Sequence, residues 1–289
     1  MRILITGGGC EEPIDTVRSI CNFSTGATAA YLCDRLSEAG HEVLAILAQS
    51  ATKPSCVIPV HAFRTFRDLE ATLRSVLAEH RFGMIIQAAA VSDYGIGSVE
   101  IDGIAYLPGN FGKIASGSRV VLNLCEHPKI IDKLRQWSCN SDCTDYADCT
   151  DYPECTIVGF KLTSGANTIE REVVIADLFQ HSEIDLVVSN DLSEITRDRH
   201  PFRIYGTVFD GEFPERHPKD GRRISGDRYV QPNRNSPVSI QHLRLQAQGT
   251  TKEDLAAWLE NLASSLEQSV ETENGHHNTG QRDIQGGCT

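Results

Sequence analysis

The chain of 289 residues has no apolar run near the roughly 20 residues that a membrane span requires. It is also short of positive charge: 27 Lys and Arg stand against 39 Asp and Glu, a net charge of −12. A nucleic-acid surface normally shows a basic face, so that class of partner is excluded, and no membrane partner is expected. An anionic ligand must then be held by local donors: backbone amides, helix N-termini and a few placed lysines or arginines. Met1-Arg2 leads directly into a strand-like run, so no leader is expected and the location is read as cytoplasmic. The ten cysteines lack zinc-site pairing. Between Cys139 and Cys155 only Cys139-x3-Cys143 has the usual short spacing, so no metal ligands are assigned. A six-residue repeat, Cys143-Thr-Asp-Tyr-Ala-Asp then Cys149-Thr-Asp-Tyr-Pro-Glu, makes 139–155 an acidic, cysteine-bearing insertion. Cys33 and Cys56, in apolar surroundings, read as small buried hydrophobes.

What the chain does have is concentrated at its start. Ile3-Leu4-Ile5-Thr6 empties into Gly7-Gly8-Gly9, followed by Glu12-Pro13-Ile14-Asp15-Thr16-Val17-Arg18 and Asn22-Phe23-Ser24-Thr25-Gly26. Consecutive glycines let a backbone approach a ligand, and a helix N-terminus offers unpaired N–H groups to an anion. A dinucleotide fingerprint would open its helix directly after the glycines. Here the helix begins only near Gly26 and runs through Ala29, Leu32 and Leu36 to a Gly40 stop. A connection of that length is long for a βα unit and is read as a binding loop.

Strand-like and helical segments then alternate. Glu42–Ala48, a short run Val57–Val60, a helix from Asp68 to about His80 and a strand Met84–Ala89 precede Gly95–Gly112, read as an extended loop carrying Lys113 at its end. Arg119–Cys125 follows as a strand and Pro128–Trp137 as a helix. Then come a strand Ile157–Leu162, a helix Thr168–Gln180 and a strand Asp185–Ser189 ending at Asn190-Asp191. Continuous apolar strands alternating with helices predict an α/β fold, a Rossmann-like, doubly wound, mainly parallel sheet. Residues 1–270 form one domain, with about 193–248 as a small peripheral subdomain containing strands Phe202–Phe209 and Ser239–Leu245. Lys252–Leu266 closes the fold, with Thr250-Thr251-Lys252-Glu253 supplying a cap and a reciprocal glutamate. Residues 271–289 are expected to be a disordered tail.

Taken together, these motifs resemble phosphopantothenate–cysteine ligase (phosphopantothenoylcysteine synthetase) in its stand-alone form. The carriers are Thr6-Gly7-Gly8-Gly9, Glu12-Pro13-Ile14-Asp15, Val17-Arg18, Asn22-Phe23-Ser24-Thr25-Gly26, Ala88-Ala89-Ala90-Val91-Ser92-Asp93-Tyr94, Lys113-Ile114, Pro128-Lys129-Ile130-Ile131, Val158-Gly159-Phe160-Lys161-Leu162 and Asn190-Asp191. The resemblance implies a ligase that joins 4′-phosphopantothenate to cysteine in coenzyme A synthesis. The substrate carboxylate attacks the α-phosphate of CTP or ATP, pyrophosphate leaves, and the cysteine amine displaces the nucleotide, with Mg²⁺ on the triphosphate. It implies Asn22 and Lys113 as catalytic residues, the first holding the acyl-nucleotide and the second stabilising charge on transferred oxygens. Gly8, Gly9, Arg18, Ser24, Thr25 and Gly26 would lie along the phosphorylated ligand. Gln87, Ala88, Ala89, Asp93, Pro128, Lys129, Ile130, Ile131, Phe160 and Asn190 would form the nucleotide site. A homodimer is implied, with Phe202–Leu245 as the candidate region reaching the neighbour's site.

The chain departs from the bacterial pattern. Ala115-Ser116-Gly117 follows Lys113-Ile114 where further lysines are usual, and Ala27 stands where a lysine commonly follows the Asn-x-Ser-Ser-Gly segment. Lys161 or Arg171 is the candidate replacement for the missing charge. Phe160-Lys161-Leu162-Thr163 and Asn22-Phe23-Ser24 look closer to the eukaryotic branch, which prefers ATP, whereas bacterial enzymes prefer CTP; the nucleotide stays open. An NAD(P)-dependent reductase would need a Tyr-x-x-x-Lys pair or an acid after the second strand, and Gln49-Ser50 stands there instead. The third reading is a non-catalytic relative that binds a phosphorylated metabolite.

Overall fold

The computed structural model describes residues 1–139, 155–196, 198–207 and 240–277. In chain order it begins with β1 (Arg2–Gly7), β2 (Glu11–Pro13), β3 (Ser19–Cys21), α1 (Ala27–Glu38), β4 (Glu42–Ala48), β5 (Val60–Phe63) and α2 (Phe66–Glu79). There follow β6 (Met84–Gln87), β7 (Tyr94–Ile101), β8 (Ile104–Tyr106), β9 (Val120–Glu126), a 3₁₀ turn at Ile130–Lys133 and α3 (Leu134–Ser138). The remainder is β10 (Thr156–Thr163), α4 (Thr168–His181), β11 (Leu186–Asp191), β12 (Phe202–Thr207), β13 (Leu243–Gly249) and α5 (Lys252–His277).

Eight strands form one sheet in the order β13-β12-β11-β10-β6-β1-β4-β5. The six from β11 to β5 are parallel, and β12 and β13 add an antiparallel edge. The parallel strands are apolar runs because helices cover both faces: Ile3, Leu4, Ile5, Ile46, Leu47, Ile85, Ile86, Val158 and Val187 all sit in the core. Capping boxes start α2, with Thr65 and Asp68, and α4, with Asn167 and Glu170, each worth about 1 kcal/mol. On α5 the box uses Thr251 and Asp254, one residue beyond the expected pair. α5 packs Leu255, Leu259 and Ala263 into the core, and its Glu260 meets Arg35 of α1.

Several expectations shift. β5 starts at Val60 because its parallel partner Ala45 sets the register, while Val57 is fully exposed. Pro128–Trp137 is a 3₁₀ turn followed by a short α-helix rather than one helix. The first part of Gly95–Gly112 is not a loop: β7, β8 and β9 make a separate three-stranded antiparallel sheet to which Arg119–Cys125 belongs, and only the stretch after Tyr106 is the connection that carries Lys113. A two-residue turn at Asp102-Gly103, both at positive φ, joins β7 to β8, as a tight hairpin requires. The small sheet has its own core of Ile96, Val99 and Ile114, flanked by Ile14, Phe111 and Leu122. The described ends of the expected peripheral region, β12 and β13, are strands of the main sheet, and 208–239 lie outside the described residues. α5 continues to His277 through residues expected to be tail; 278–289 and the insertion at 140–154 also lie outside the described residues.

Candidate functional site

The chain leaves β1 for β4 on one side of the sheet, whereas β6 lies on the other side of β1 and leads to β10. β1 and β6 therefore flank a topological switch point, and in an open α/β sheet ligands bind in the crevice beyond such strand ends. The pairing extends past both strands into the motif residues. Cys10 donates its N–H to the Ala90 carbonyl at 3.1 Å, and Ala90 donates to the Gly8 carbonyl at 2.8 Å. The Thr6 hydroxyl accepts from the Ala89 N–H at 3.1 Å.

Glycine is required here by contact. Gly8 and Gly26 have φ of +87° and +69°, and a Cβ on either would fall within 2.8 Å of the Ala51 methyl. A Cβ on Gly9 would lie 2.1 Å from the Asn22 carbonyl oxygen. These approaches close the turn, so α1 begins at Ala27, directly after Gly26 and beside the β1 end, with no acid in its first turn and the Thr25 hydroxyl accepting from the Ala27 N–H at 3.3 Å. Such an N-terminus favours an anion. Ser24 is half-buried and Thr25 exposed beside it, and the Thr25 carbonyl accepts from Thr52 N–H at 2.9 Å.

The connection before α1 holds a small ribbon, with β2 pairing antiparallel to β3. Asn22 follows the ribbon directly and spans the crevice. Its N–H bonds the Cys10 carbonyl at 3.1 Å, and its Nδ2 donates to the Val91 carbonyl at 3.0 Å. Asn22 is exposed, and its Oδ1 accepts from the Ser92 hydroxyl at 3.5 Å.

Lys113 is exposed, but its backbone is fixed. The following residue, Ile114, is buried in the small core and donates its N–H to Asp15 Oδ2 at 3.0 Å. Asp15 also accepts from the Val17 and Arg18 amides at 2.8 Å each and from the Arg18 guanidinium. The Ile114 amide, followed by those of the local turn, holds the Asp15 carboxyl down to about 2. Arg18 reaches back from the other side, its Nη2 donating to the Ile114 carbonyl at 3.4 Å. Arg18 is thus engaged in joining the ribbon to the small sheet. Sequence reasoning missed Asp15 as part of the site; the signal was an aspartate placed to form an Asx turn two residues before an amide.

At the end of β6, Gln87 is 4% exposed, and neither its Oε1 nor its Nε2 has a hydrogen-bond partner. An unmatched buried amide is costly unless something pairs with it. Ala88 and Ala89 are half-buried beside it. Asp93 and Lys129 form an exposed ion pair at the mouth, next to exposed Pro128, and the Asp93 carbonyl accepts from His127 N–H at 2.8 Å. Ile131 passes over Gly159, where a Cβ would lie 2.8 Å from its Cδ1; Ile130 is in the core, and Phe160 is half-buried at its margin. The Asn190 amide donates to the Pro201 carbonyl at 2.8 Å, so it supports the site from behind.

Arg171 does not supply the missing charge. It is buried and committed to Glu194 at 2.6 Å, to the Ala166 carbonyl at 2.8 Å and to Asp191 at 3.6 Å. Asp191, held well below the ordinary carboxylate range by the Ser193 and Thr163 hydroxyls, organises the loops after β10 and β11. Lys161 is half-buried on β10 and remains the candidate cation there.

A family profile described as the DNA/pantothenate metabolism flavoprotein C-terminal domain matches residues 1–200. Over 214 residues the chain is 27% identical to the Coenzyme A biosynthesis bifunctional protein CoaBC of Thermococcus kodakarensis, a match covering 74% of this chain and 47% of that protein. The chain thus spans about half the length of that curated relative. The solved DNA/Pantothenate Metabolism Flavoprotein from Streptococcus pneumoniae superposes with a TM-score of 0.66 at 24% identity, over 92% of this chain and 99% of that one. A Cab2 mutant in complex with phosphopantothenate-cysteine superposes at 0.53 and 20% identity, over 70% and 75%. At these identities the structural matches establish the shared fold.

Proposed function

Because the chain belongs to the family of the DNA/pantothenate metabolism flavoprotein C-terminal domain, we propose that it is a ligase joining 4′-phosphopantothenate to L-cysteine through an acyl-nucleotide. The observation that carries this reading is the β1–β6 crevice, where glycines, a helix N-terminus with no acid in its first turn and an asparagine amide converge. A carboxylate is a poor electrophile, and a mixed anhydride with a nucleotide phosphate gives it a leaving group. The α1 amides would hold the phosphate of phosphopantothenate, and Asn22, able to donate and accept, would bridge the acyl and phosphoryl oxygens. Lys113 would offset the negative charge that builds on those oxygens.

The nucleotide base and ribose would enter beside Ala88, Ala89 and Phe160, where Gln87 offers one donor and one acceptor edge. Mg²⁺ would ride on the triphosphate and keep several of its own waters. A homodimer is part of the proposal. The small sheet and the connection after β8 bear the exposed apolar residues Ile104, Leu107, Val120 and Leu124, which offer a second meeting surface beside the expected Phe202–Leu245 region. Among the described residues no helix is long and apolar enough to cross a membrane, and we place the enzyme in the cytoplasm.

The test is pyrophosphate release from purified protein given 4′-phosphopantothenate, cysteine, Mg²⁺ and either CTP or ATP. Release that requires both 4′-phosphopantothenate and one of the nucleotides supports the proposal. Its absence with both nucleotides favours the non-catalytic reading. Lys113→Gln is expected to lower turnover about 100-fold while leaving the melting temperature unchanged.

A further inference from the structure

We infer that Asp15 is a positioning residue: with Arg18 it clamps the Ile114 backbone and so sets the place from which Lys113 reaches the crevice. This rests on the ligase reading for its kinetic consequence and on geometry alone for the clamp itself.

The Lys113–Ile114 peptide is gripped from one side by a buried carboxylate. Asp15 Oδ2 takes the Ile114 N–H at 3.0 Å, and the side chain of Asp15 is fully buried. The Ile114 carbonyl, one peptide further on, receives Arg18 Nη2 at 3.4 Å. The ion pair between Asp15 and Arg18 ties the two halves of the grip together. The same carboxylate caps its own turn through the Val17 and Arg18 amides, and Gly109 N–H bonds the Ile14 carbonyl at 3.1 Å. The turn therefore cannot shift without carrying the 109–114 segment with it.

The other end of that turn runs through β3 into Asn22 within a few residues. One carboxylate thus links the two groups that the chemistry needs at a fixed separation, although one follows β3, the other lies between β8 and β9, and they are far apart in sequence. Ile114 anchors the segment by its apolar side chain, but burial alone is non-directional. The two hydrogen bonds fix which way the preceding lysine leaves the backbone. The Asp15 side chain is fully buried and its oxygens are taken by the Ile114, Val17 and Arg18 donors, so its contribution to rate passes through Lys113.

Asp15→Asn isolates the clamp. The amide keeps one oxygen for the Val17 and Arg18 N–H groups but turns a donor toward the Ile114 N–H. We expect kcat to fall 10- to 100-fold with KM for each substrate within about threefold. Combined with Lys113→Gln, it should add little: the double variant should be no more than about twofold slower than Lys113→Gln alone. Equal fold losses in both backgrounds would show a general structural role and overturn the inference, as would unchanged kcat.

Trypsin supplies a readout independent of activity, because it cuts after Lys113 at the clamped peptide. In the folded full-length chain, cleavage at Lys113–Ile114 should rise at least tenfold in Asp15→Asn relative to Arg199. Similar cleavage in wild type and variant refutes the clamp whatever the enzyme does. Cleavage that rises as expected in a protein without pyrophosphate release would retain the clamp and reject the ligase reading instead.

Discussion

Gly9→Ala is the perturbation for which the structure gives the clearest magnitude. Gly9 does not adopt a positive φ, so alanine meets no backbone strain there, and its effect is steric. The new methyl would sit 2.1 Å from the Asn22 carbonyl oxygen, whereas carbon and oxygen in contact stand roughly 3.3–3.6 Å apart. The Asn22 backbone must retreat by roughly 1 Å. It is held by its N–H on the Cys10 carbonyl and by Nδ2 on the Val91 carbonyl, so retreat stretches both bonds. Overpacking of this kind costs about 1–3 kcal/mol. For a chain of this size that is a fall in melting temperature of roughly 2–4 °C per kcal/mol.

A displacement of about 1 Å at a positioning group lowers turnover about 100-fold. Gly40→Ala is the control: Gly40 has φ +90° with nothing within 4 Å, so it meets strain of about 1–2 kcal/mol and no clash. Its melting temperature should fall while pyrophosphate release stays at the wild-type rate. Thermal melts and the release assay on both variants decide the matter. A Gly9→Ala protein with wild-type turnover and melting temperature would refute the reasoning, and so would equal turnover losses in the two variants.

Gln87→Leu removes a buried amide with no partner, so the unliganded protein should become more stable by about 1 kcal/mol or more while nucleotide affinity falls; calorimetry and a nucleotide titration check the two halves. Asp191→Asn tests acid stability. Its folded-state pKa is lowered, so its stabilisation is complete above the ordinary aspartate value and disappears as pH falls below it; the gap in melting temperature between wild type and variant should be full at pH 7 and shrink steadily below about pH 4. Arg171→Gln should lower the melting temperature without changing KM for the nucleotide, because its guanidinium is already held by Glu194 and Asp191.

The parallel sheet was legible because its strands are buried on both faces and therefore read as unbroken apolar runs, Ile3-Leu4-Ile5 and Met84-Ile85-Ile86 among them. The glycine turn was legible because its residue types fit one tight geometry, whereas Asn22 was singled out by the family resemblance and not by its residue type. Of the small sheet only β9 was legible as a strand. β7 carries Gly95 and Gly97, its register against β9 shifts between Ile96 and Ser98, and only a few of its residues are buried, so it shows no period to be read. β12 and β13 were found as strands but not as the edge of the main sheet, since β12 pairs antiparallel with β11 and β13 with β12, and neither pairing leaves a local mark in the sequence. Asp15 escaped because its value lies in a bond to Ile114, 99 residues away. No local pattern records a pairing at that range.

The small sheet also bears on how the molecule assembles itself. β7 and β8 meet across a two-residue turn, and hairpins of that kind close in about 1–10 μs. Met84 and Thr156, by contrast, must find each other across the whole excursion before β6 and β10 can pair, and such distant pairing is slow. The lobe carrying Lys113 would be formed early and wait, with the crevice completed only when the central strands zip together. A variant that loosens the lobe should therefore slow refolding, whereas one at the β6–β10 seam should chiefly change how long the finished protein survives.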